Sequence, residues 1–234
     1  MSYALIFLLR GKNMLTQLAL APAMVLIIFL LHFDEFTKEP LHLMILFFIY
    51  GMFSVVPVMT FCSCLLKTNL QNEIPVIYKA FLSSALPEEF MKAVFIFFMF
   101  LDNKYINEPF DFIVYPCIFS LGFSAAENLV YVYHPILGGV STALTRAVFS
   151  TPGHFIFGIC MGYYFAGGRK TDFCCINIIK AFLFSAMLHA VYNLILVCMG
   201  CWYLILLVPY LIFLWKKGLY NMLCMYINNH VNIS

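Results

Sequence analysis

Charged residues are scarce in this chain. Asp, Glu, Lys and Arg make up only 10% of its 234 residues, whereas soluble domains carry about 25%. Hydrophobic residues account for 64% and the mean hydropathy is +0.94. A chain this apolar cannot cover its surface with polar groups in water, so a soluble globular protein is excluded. We predict a polytopic membrane protein in contact with the lipid bilayer.

Three further absences narrow the class of protein. The net charge is only +2 and no basic cluster interleaves with aromatic residues, so a nucleic-acid partner is not indicated. The nine cysteines show no zinc-knuckle spacing. No segment shows the alternation of a half-buried strand, and the loops are too short for a soluble domain. The predicted fold is all-α, with residues 1–234 forming a single membrane-embedded domain.

Long apolar segments run through the whole chain, several of them near the length of about 20 residues that a helix needs to cross hydrocarbon. The seven segments are Met14 to Leu31, Leu41 to Leu66, Pro75 to Leu101, Phe112 to Tyr133, Gly138 to Ala166, Ile176 to Met199 and Cys201 to Leu214. They predict a bundle of about seven transmembrane helices, with a catalytic core at about residues 75–199.

The third segment has charged residues at its head. Glu88, Glu89 and Lys92 open an apolar run, and each ionisable group inside a membrane costs about 2.5 to 3.5 kcal/mol on insertion scales. Pro87 suits the first turn of a helix, where the helix dipole also stabilises the two carboxylates. Lys92 is within pairing reach of both. This motif is either an ion pair that fixes helix packing or part of a chemical site.

Polar side chains recur at three- and four-residue steps in the next three segments, so each set shares one helix face. The sets are Ser120, Ser124, Glu127, Asn128 and Tyr131; then Arg146, Ser150, His154, Gly158 and Gly162; then Ser185, His189 and Asn193. Groups this polar should face protein or a water-filled cavity.

Counting residues from the membrane face predicts where these groups meet. Glu88 and Glu89 lie near the start of the third helix, and Glu127 lies near the end of the fourth. His154 and His189 lie about 15 to 20 Å from the same face, at 1.5 Å per residue. We therefore expect all five side chains to line one cavity in the half of the bilayer on the N-terminal side.

Glutamates and histidines around a wet cavity can serve three kinds of chemistry. Glu88, His154 and His189 could hold a catalytic zinc ion with an open position. Alternatively, a glutamate could act as general base without metal, while His, Asn and Lys92 stabilise an oxyanion. The third alternative is a proton- or ion-coupled transporter, although no inverted repeat is evident.

Four motifs in this order resemble the PrsW family of intramembrane proteases, relatives of the CAAX prenyl endopeptidases and bacteriocin-processing enzymes. They are EEFMK at Glu88 to Lys92, GFSAAENLVYV at Gly122 to Val132, HFIFGICMGYY at His154 to Tyr164 and LHAVYN at Leu188 to Asn193. The segment from Leu18 to Pro40 resembles the first span and acidic loop of the same family.

The resemblance implies a glutamate-dependent endopeptidase that cuts a membrane-anchored protein, such as an anti-sigma factor. By position, one of Glu88 and Glu89 would activate water. The other motif positions would supply metal ligands or oxyanion donors, at Glu127, His154 and His189. Supporting roles would fall to Lys92, Asn128 and Asn193.

The distribution of basic residues predicts the orientation. The N-terminal face would carry Arg10, Lys12, Lys67 and Lys79, and the opposite face Lys38, Lys104, Arg169, Lys170, Lys180, Lys216 and Lys217. The excess of basic residues on the C-terminal face favours a cytoplasmic location for that face. The cavity would then lie in the extracytoplasmic half of a bacterial cytoplasmic membrane.

Overall fold

A computed structural model describes residues 3–32, 39–66, 81–101, 103–169, 175–198 and 202–233. All regular secondary structure in these ranges is helical. The helices are α1 (Tyr3–His32), α2 (Leu41–Leu66), α3 (Leu86–Phe100), α4 (Asp111–Val132), α5 (Val140–Thr145), α6 (Thr151–Arg169), α7 (Cys175–Cys198) and α8 (Tyr203–Ile233). The chain also forms two π-helical turns. Phe81–Ala85 leads into α3, and Arg146–Ser150 joins α5 to α6.

Among the described residues, five stretches are long and apolar enough to cross a membrane. They are Asn13–His32, Leu41–Cys64, Asp111–Val132, Ile176–Cys198 and Tyr203–Met225. The predicted all-helical membrane protein is thereby confirmed, whereas the count of about seven spans is not. The two remaining predicted spans differ for identifiable reasons. Residues 75–80 of the third predicted span lie outside the described residues, and α3 within that span carries three charged residues. The fifth predicted span is interrupted by the turn Arg146–Ser150.

The last helix is longer than expected. The sequence predicted a final span from Cys201 to Leu214, but α8 continues to Ile233. Lys216 and Lys217 therefore lie inside a helix and not in a loop.

Helix α4 lies at the centre of the bundle, with most of its residues buried. Glycines allow its neighbours to approach closely. A Cβ atom on Gly122 would lie 2.1 Å from the carbonyl oxygen of Phe48 in α2. One on Gly162 of α6 would lie 2.0 Å from the carbonyl oxygen of Phe112. Small residues at such crossings are typical of membrane helix packing.

Two acidic residues that the sequence placed in loops are buried. Glu39 is 9% exposed and accepts a hydrogen bond from the hydroxyl of Tyr115. Asp111, at 1% exposure, accepts the backbone N–H groups of Asn107 at 2.8 Å and Glu108 at 2.7 Å. Both carboxylates thus have partners that anchor the start of α4.

Candidate active site

The charged motif in the first turns of α3 is buried. Pro87 lies in the first turn, as its missing N–H predicts. Glu88 is 6% exposed, while Glu89 and Lys92 are fully buried. Lys92 Nζ lies 2.7 Å from Glu89 Oε1. The predicted ion pair therefore exists, but only Glu89 takes part in it.

Lys92 also contacts His154 of α6, with 3.1 Å between Nζ and Nδ1. An ammonium group has no lone pair, so Lys92 must donate and Nδ1 must accept. The other ring nitrogen, Nε2, then carries the hydrogen of a neutral imidazole and donates it to Glu127 Oε2 at 3.0 Å. The two partners together assign the tautomer of His154.

His189 of α7 completes the buried group. Its Nδ1 lies 3.0 Å from Glu89 Oε1 and 3.8 Å from Glu88 Oε2. Since Glu89 accepts here, Nδ1 donates, which leaves the Nε2 lone pair of a neutral His189 available. The ring stacks on Phe157 with centroids 4.9 Å apart, and this contact fixes its plane.

Glu127 and Asn128 of α4 are held by Arg146, a residue of the second π-helical turn. The guanidinium Nη2 donates to Glu127 Oε2 at 2.6 Å, and Nε donates to Asn128 Oδ1 at 2.7 Å. Asn128 also donates to Thr151 Oγ1 at 2.9 Å and to the carbonyl of Ala19 at 3.1 Å. Its contacts thus join α1, α4 and α6 and do not reach Glu88 or Glu89.

Arg146 was not among the candidate site residues of the sequence analysis. It appeared only as a member of a polar helix face. An arginine within an apolar segment is itself a signal of a buried partner, and that signal could have identified it.

Ser84 is a second residue that the sequence analysis missed. Its Oγ donates to Glu88 Oε1 at 2.7 Å, and Asn193 Nδ2 donates to the same Oγ at 3.0 Å. Asn193 therefore reaches Glu88 only through Ser84. The spacing could have identified Ser84, since it precedes Glu88 by one helical turn and so shares its helix face.

The contacts form one continuous chain with neighbouring atoms 2.6 to 3.1 Å apart. Its order is Arg146, Glu127, His154, Lys92, Glu89 and His189. Each of its two carboxylates lies beside one cation, Glu127 beside Arg146 and Glu89 beside Lys92, so both buried charges are paired. The two histidines connect to these pairs. Glu88 lies beside His189, the last residue of this chain of contacts.

Four residues of this region could hold a divalent metal ion. One ligand atom from each of Glu88, Glu89, His154 and His189 lies within 4.8 Å of the others. In the described part of the chain, Glu88 Oε2 and Glu89 Oε2 are buried and have no hydrogen-bond partner. Unpartnered carboxylate oxygens beside imidazoles are the donor chemistry of a catalytic zinc site.

Two cavities reach this centre from different sides. One of about 340 Å³ is lined by Arg146, His154 and His189 among others. The other, of about 310 Å³, lies between α2 and α3 and is lined by Glu88. Ser84, Glu127 and Tyr131 line both cavities, so the two meet at these side chains.

Buried glutamates and histidines, reached by two cavities inside a helical membrane protein, meet the requirements of a membrane-embedded peptidase. Comparison with known proteins agrees. Residues 39–215 match the profile of the PrsW family, described as intramembrane metalloproteases. The chain belongs to this family and is a membrane peptidase.

Several curated relatives share most of its length. It is 35% identical to Protease PrsW of Oceanobacillus iheyensis over 87% of this chain and 92% of the relative. Identity to Protease PrsW of Clostridioides difficile is 32%, over 86% of this chain and 87% of the relative. Identity to Protease PrsW of Bacillus subtilis is 30%, over 86% of this chain and 90% of the relative. No solved structure matches the chain. The resemblance found in the sequence is confirmed, and the transporter alternative has no support.

Proposed function

We propose that Glu88 is the general base of this peptidase and activates the water that attacks a peptide bond of a membrane-anchored protein. One observation carries the proposal: Glu88 Oε2 is buried, lacks a hydrogen-bond partner in the described residues and belongs to a side chain that lines a cavity. A carboxylate oxygen with a free lone pair beside a cavity can accept a proton from water.

The neighbouring groups have distinct roles in this proposal. Glu89 Oε1 accepts hydrogen bonds from Lys92 and His189. Glu89 Oε2 is also unpartnered, but Glu89 lines neither of the two cavities, so we assign it to holding Lys92 and His189 and assign the base to Glu88. His154 and His189 lie with their ring centroids 5.3 Å apart and line the 340 Å³ cavity. In its protonated form His189 would donate from Nε2 to the oxyanion of a tetrahedral intermediate. His154, whose two ring nitrogens contact Lys92 and Glu127, would hold these two groups in place. With two cavities meeting at the centre, water and the peptide can arrive from different sides.

Zinc is the metal we propose for the group Glu88, Glu89, His154 and His189. Bound there, it would polarise the attacking water or the scissile carbonyl. The free Oε2 of Glu88 would serve as a metal ligand when zinc is bound and as the base when it is not, and His189 would offer Nε2 to the metal.

We further propose that α3 and α6 also lie within the membrane, which gives seven helices with a catalytic core at about residues 75–199. The centre would occupy the extracytoplasmic half of a bacterial cytoplasmic membrane. The bacterial relatives and the distribution of basic residues support this location. A membrane-anchored regulator such as an anti-sigma factor remains the predicted substrate.

The test is the profile of new protein N-termini in membranes from cells that express the wild type, Glu88→Gln or Glu108→Gln. Glu108 lies in the loop at the other end of α3 and is the matched control. We expect N-termini that appear with the wild type and Glu108→Gln but not with Glu88→Gln. Their persistence with Glu88→Gln, at equal protein levels in immunoblots, would exclude Glu88 as the base.

A further inference from the structure

We propose that Ser84, hydrogen-bonded to Asn193, is a positioning residue. It fixes the carboxylate of Glu88 so that Oε2 faces the reaction centre. The inference rests on the proposed role of Glu88. It assigns a function to a serine that lies outside the four family-like motifs.

The hydrogen bonds have only one possible direction. The Asn193 amide nitrogen can only donate, so Ser84 Oγ accepts from it at 3.0 Å. The single hydroxyl hydrogen of Ser84 is then directed to Glu88 Oε1 at 2.7 Å. Consecutive hydrogen bonds of this kind polarise one another. Asn193 thus strengthens the bond that Ser84 gives to Glu88.

The two oxygens of Glu88 are thereby distinguished. In the described part of the chain, Oε1 has Ser84 as its hydrogen-bond partner and Oε2 has none. The free Oε2 lies 3.8 Å from His189 Nδ1. Without the serine hydroxyl, neither oxygen would be held and the carboxylate could rotate about its last side-chain torsion, which is broad for glutamate.

The backbone that carries Ser84 is fixed on two sides. Ser84 belongs to the π-helical turn Phe81–Ala85, and π-helical turns occur frequently at functional sites. On the α2 side, Cys62 Sγ donates to the carbonyl of Ser83 at 2.9 Å. On the α7 side, Asn193 contacts Ser84 itself. The turn therefore transmits the positions of two neighbouring helices to Glu88.

The test compares Ser84→Ala and Ser84→Thr with the wild type, using the substrate identified by N-terminal profiling. Thr60→Ala is the control, because the exposed Thr60 hydroxyl donates to the Val56 carbonyl within α2 and lines neither cavity. We expect Ser84→Ala to lower kcat by about 10- to 100-fold, as loss of a residue that orients a catalytic group typically does. KM should change little, and Ser84→Thr should restore most of kcat because it keeps the hydroxyl.

A double-mutant cycle tests the connection to Asn193. Asn193→Ala should reduce kcat in the wild type but add little to Ser84→Ala, because both changes break the same chain. If Ser84→Ala does not fold, Ser84→Cys retains the volume with a weaker donor and should also lower kcat. Wild-type kcat in Ser84→Ala or Ser84→Cys, or no recovery in Ser84→Thr, would overturn the proposal.

Infrared difference spectra give a readout that is independent of turnover. Ser84→Ala should shift a carboxylate stretching band, and the same substitution in a Glu88→Gln background should not. Absence of the shift would overturn the hydrogen bond itself. Normal cleavage by Glu88→Gln would instead overturn the proposed function and leave the infrared result intact, so the two failures are distinguishable.

Discussion

Lys92 Nζ lies 3.1 Å from Nδ1 of His154, so the lone pair of this histidine is directed at a buried cation. The same ammonium balances Glu89 at 2.7 Å. Lys92 therefore joins the glutamate motif of α3 to the histidine of α6.

Replacing Lys92 by Met should destabilise the protein strongly. The substitution leaves the fully buried Glu89 without its cation, and removal of one partner of a buried pair costs about 3–5 kcal/mol. Thermal unfolding in detergent measures the effect, with Lys104→Met as the control, because Lys104 is exposed in the loop after α3. Equal melting temperatures for both variants would contradict the pairing.

The two histidines should differ in their importance for metal binding. Both ring nitrogens of His154 have partners, Lys92 and Glu127, whereas His189 has Nε2 available when Nδ1 donates to Glu89. We expect zinc content after purification without chelators to fall more in His189→Ala than in His154→Ala. Mass spectrometry measures the zinc content of each variant. A larger loss of zinc in His154→Ala than in His189→Ala would show that Lys92 leaves His154 when metal binds.

Glu88 and Glu89 should respond differently to amide substitution. Both Glu88→Gln and Glu89→Gln are predicted to lose cleavage, but for different reasons. Glu89 contacts Lys92 and His189, so Glu89→Gln should also lower the melting temperature, by the logic of a broken buried pair. Glu88→Gln should leave stability nearly unchanged, because the amide oxygen can still accept from Ser84 and Oε2 has no hydrogen-bond partner to lose. Similar melting temperatures with cleavage lost in both would indicate that Glu89 too has a chemical role.

Periodicity predicted much of this arrangement, because residues three or four apart share a helix face and the helices alternate in direction. Glu127, His154 and His189 could be placed near the third helix for that reason. Spacing alone does not reveal where a helix departs from the α-helical repeat. Ser84 and Arg146 both lie on π-helical turns, and both were missed as site residues. The burial of Asp111 depends on backbone groups of a preceding loop, which no periodic pattern specifies.

The crossing of α2 and α4 should not tolerate an added methyl group. A Cβ atom on Gly122 would lie 2.1 Å from the Phe48 carbonyl oxygen, far inside van der Waals contact and against backbone that cannot rotate away. Gly122→Ala should therefore lower the melting temperature and separate α4 from α2. Gly167→Ala is the control, because its nearest heavy atom would lie 3.9 Å away. A Gly122→Ala protein with wild-type stability would contradict this close approach.

Arg146 should affect catalysis through Glu127 and His154. Its guanidinium holds Glu127 Oε2 at 2.6 Å, and the same oxygen accepts from His154 Nε2 at 3.0 Å. Arg146→Lys keeps the charge but cannot reproduce the planar fork that also contacts Asn128, so we expect intermediate activity, with Arg146→Gln lower still. In a double-mutant cycle, Glu127→Gln should add little to Arg146→Gln, because both act on the orientation of His154. Additive losses in kcat would mean instead that Arg146 contacts the substrate directly from the cavity it lines.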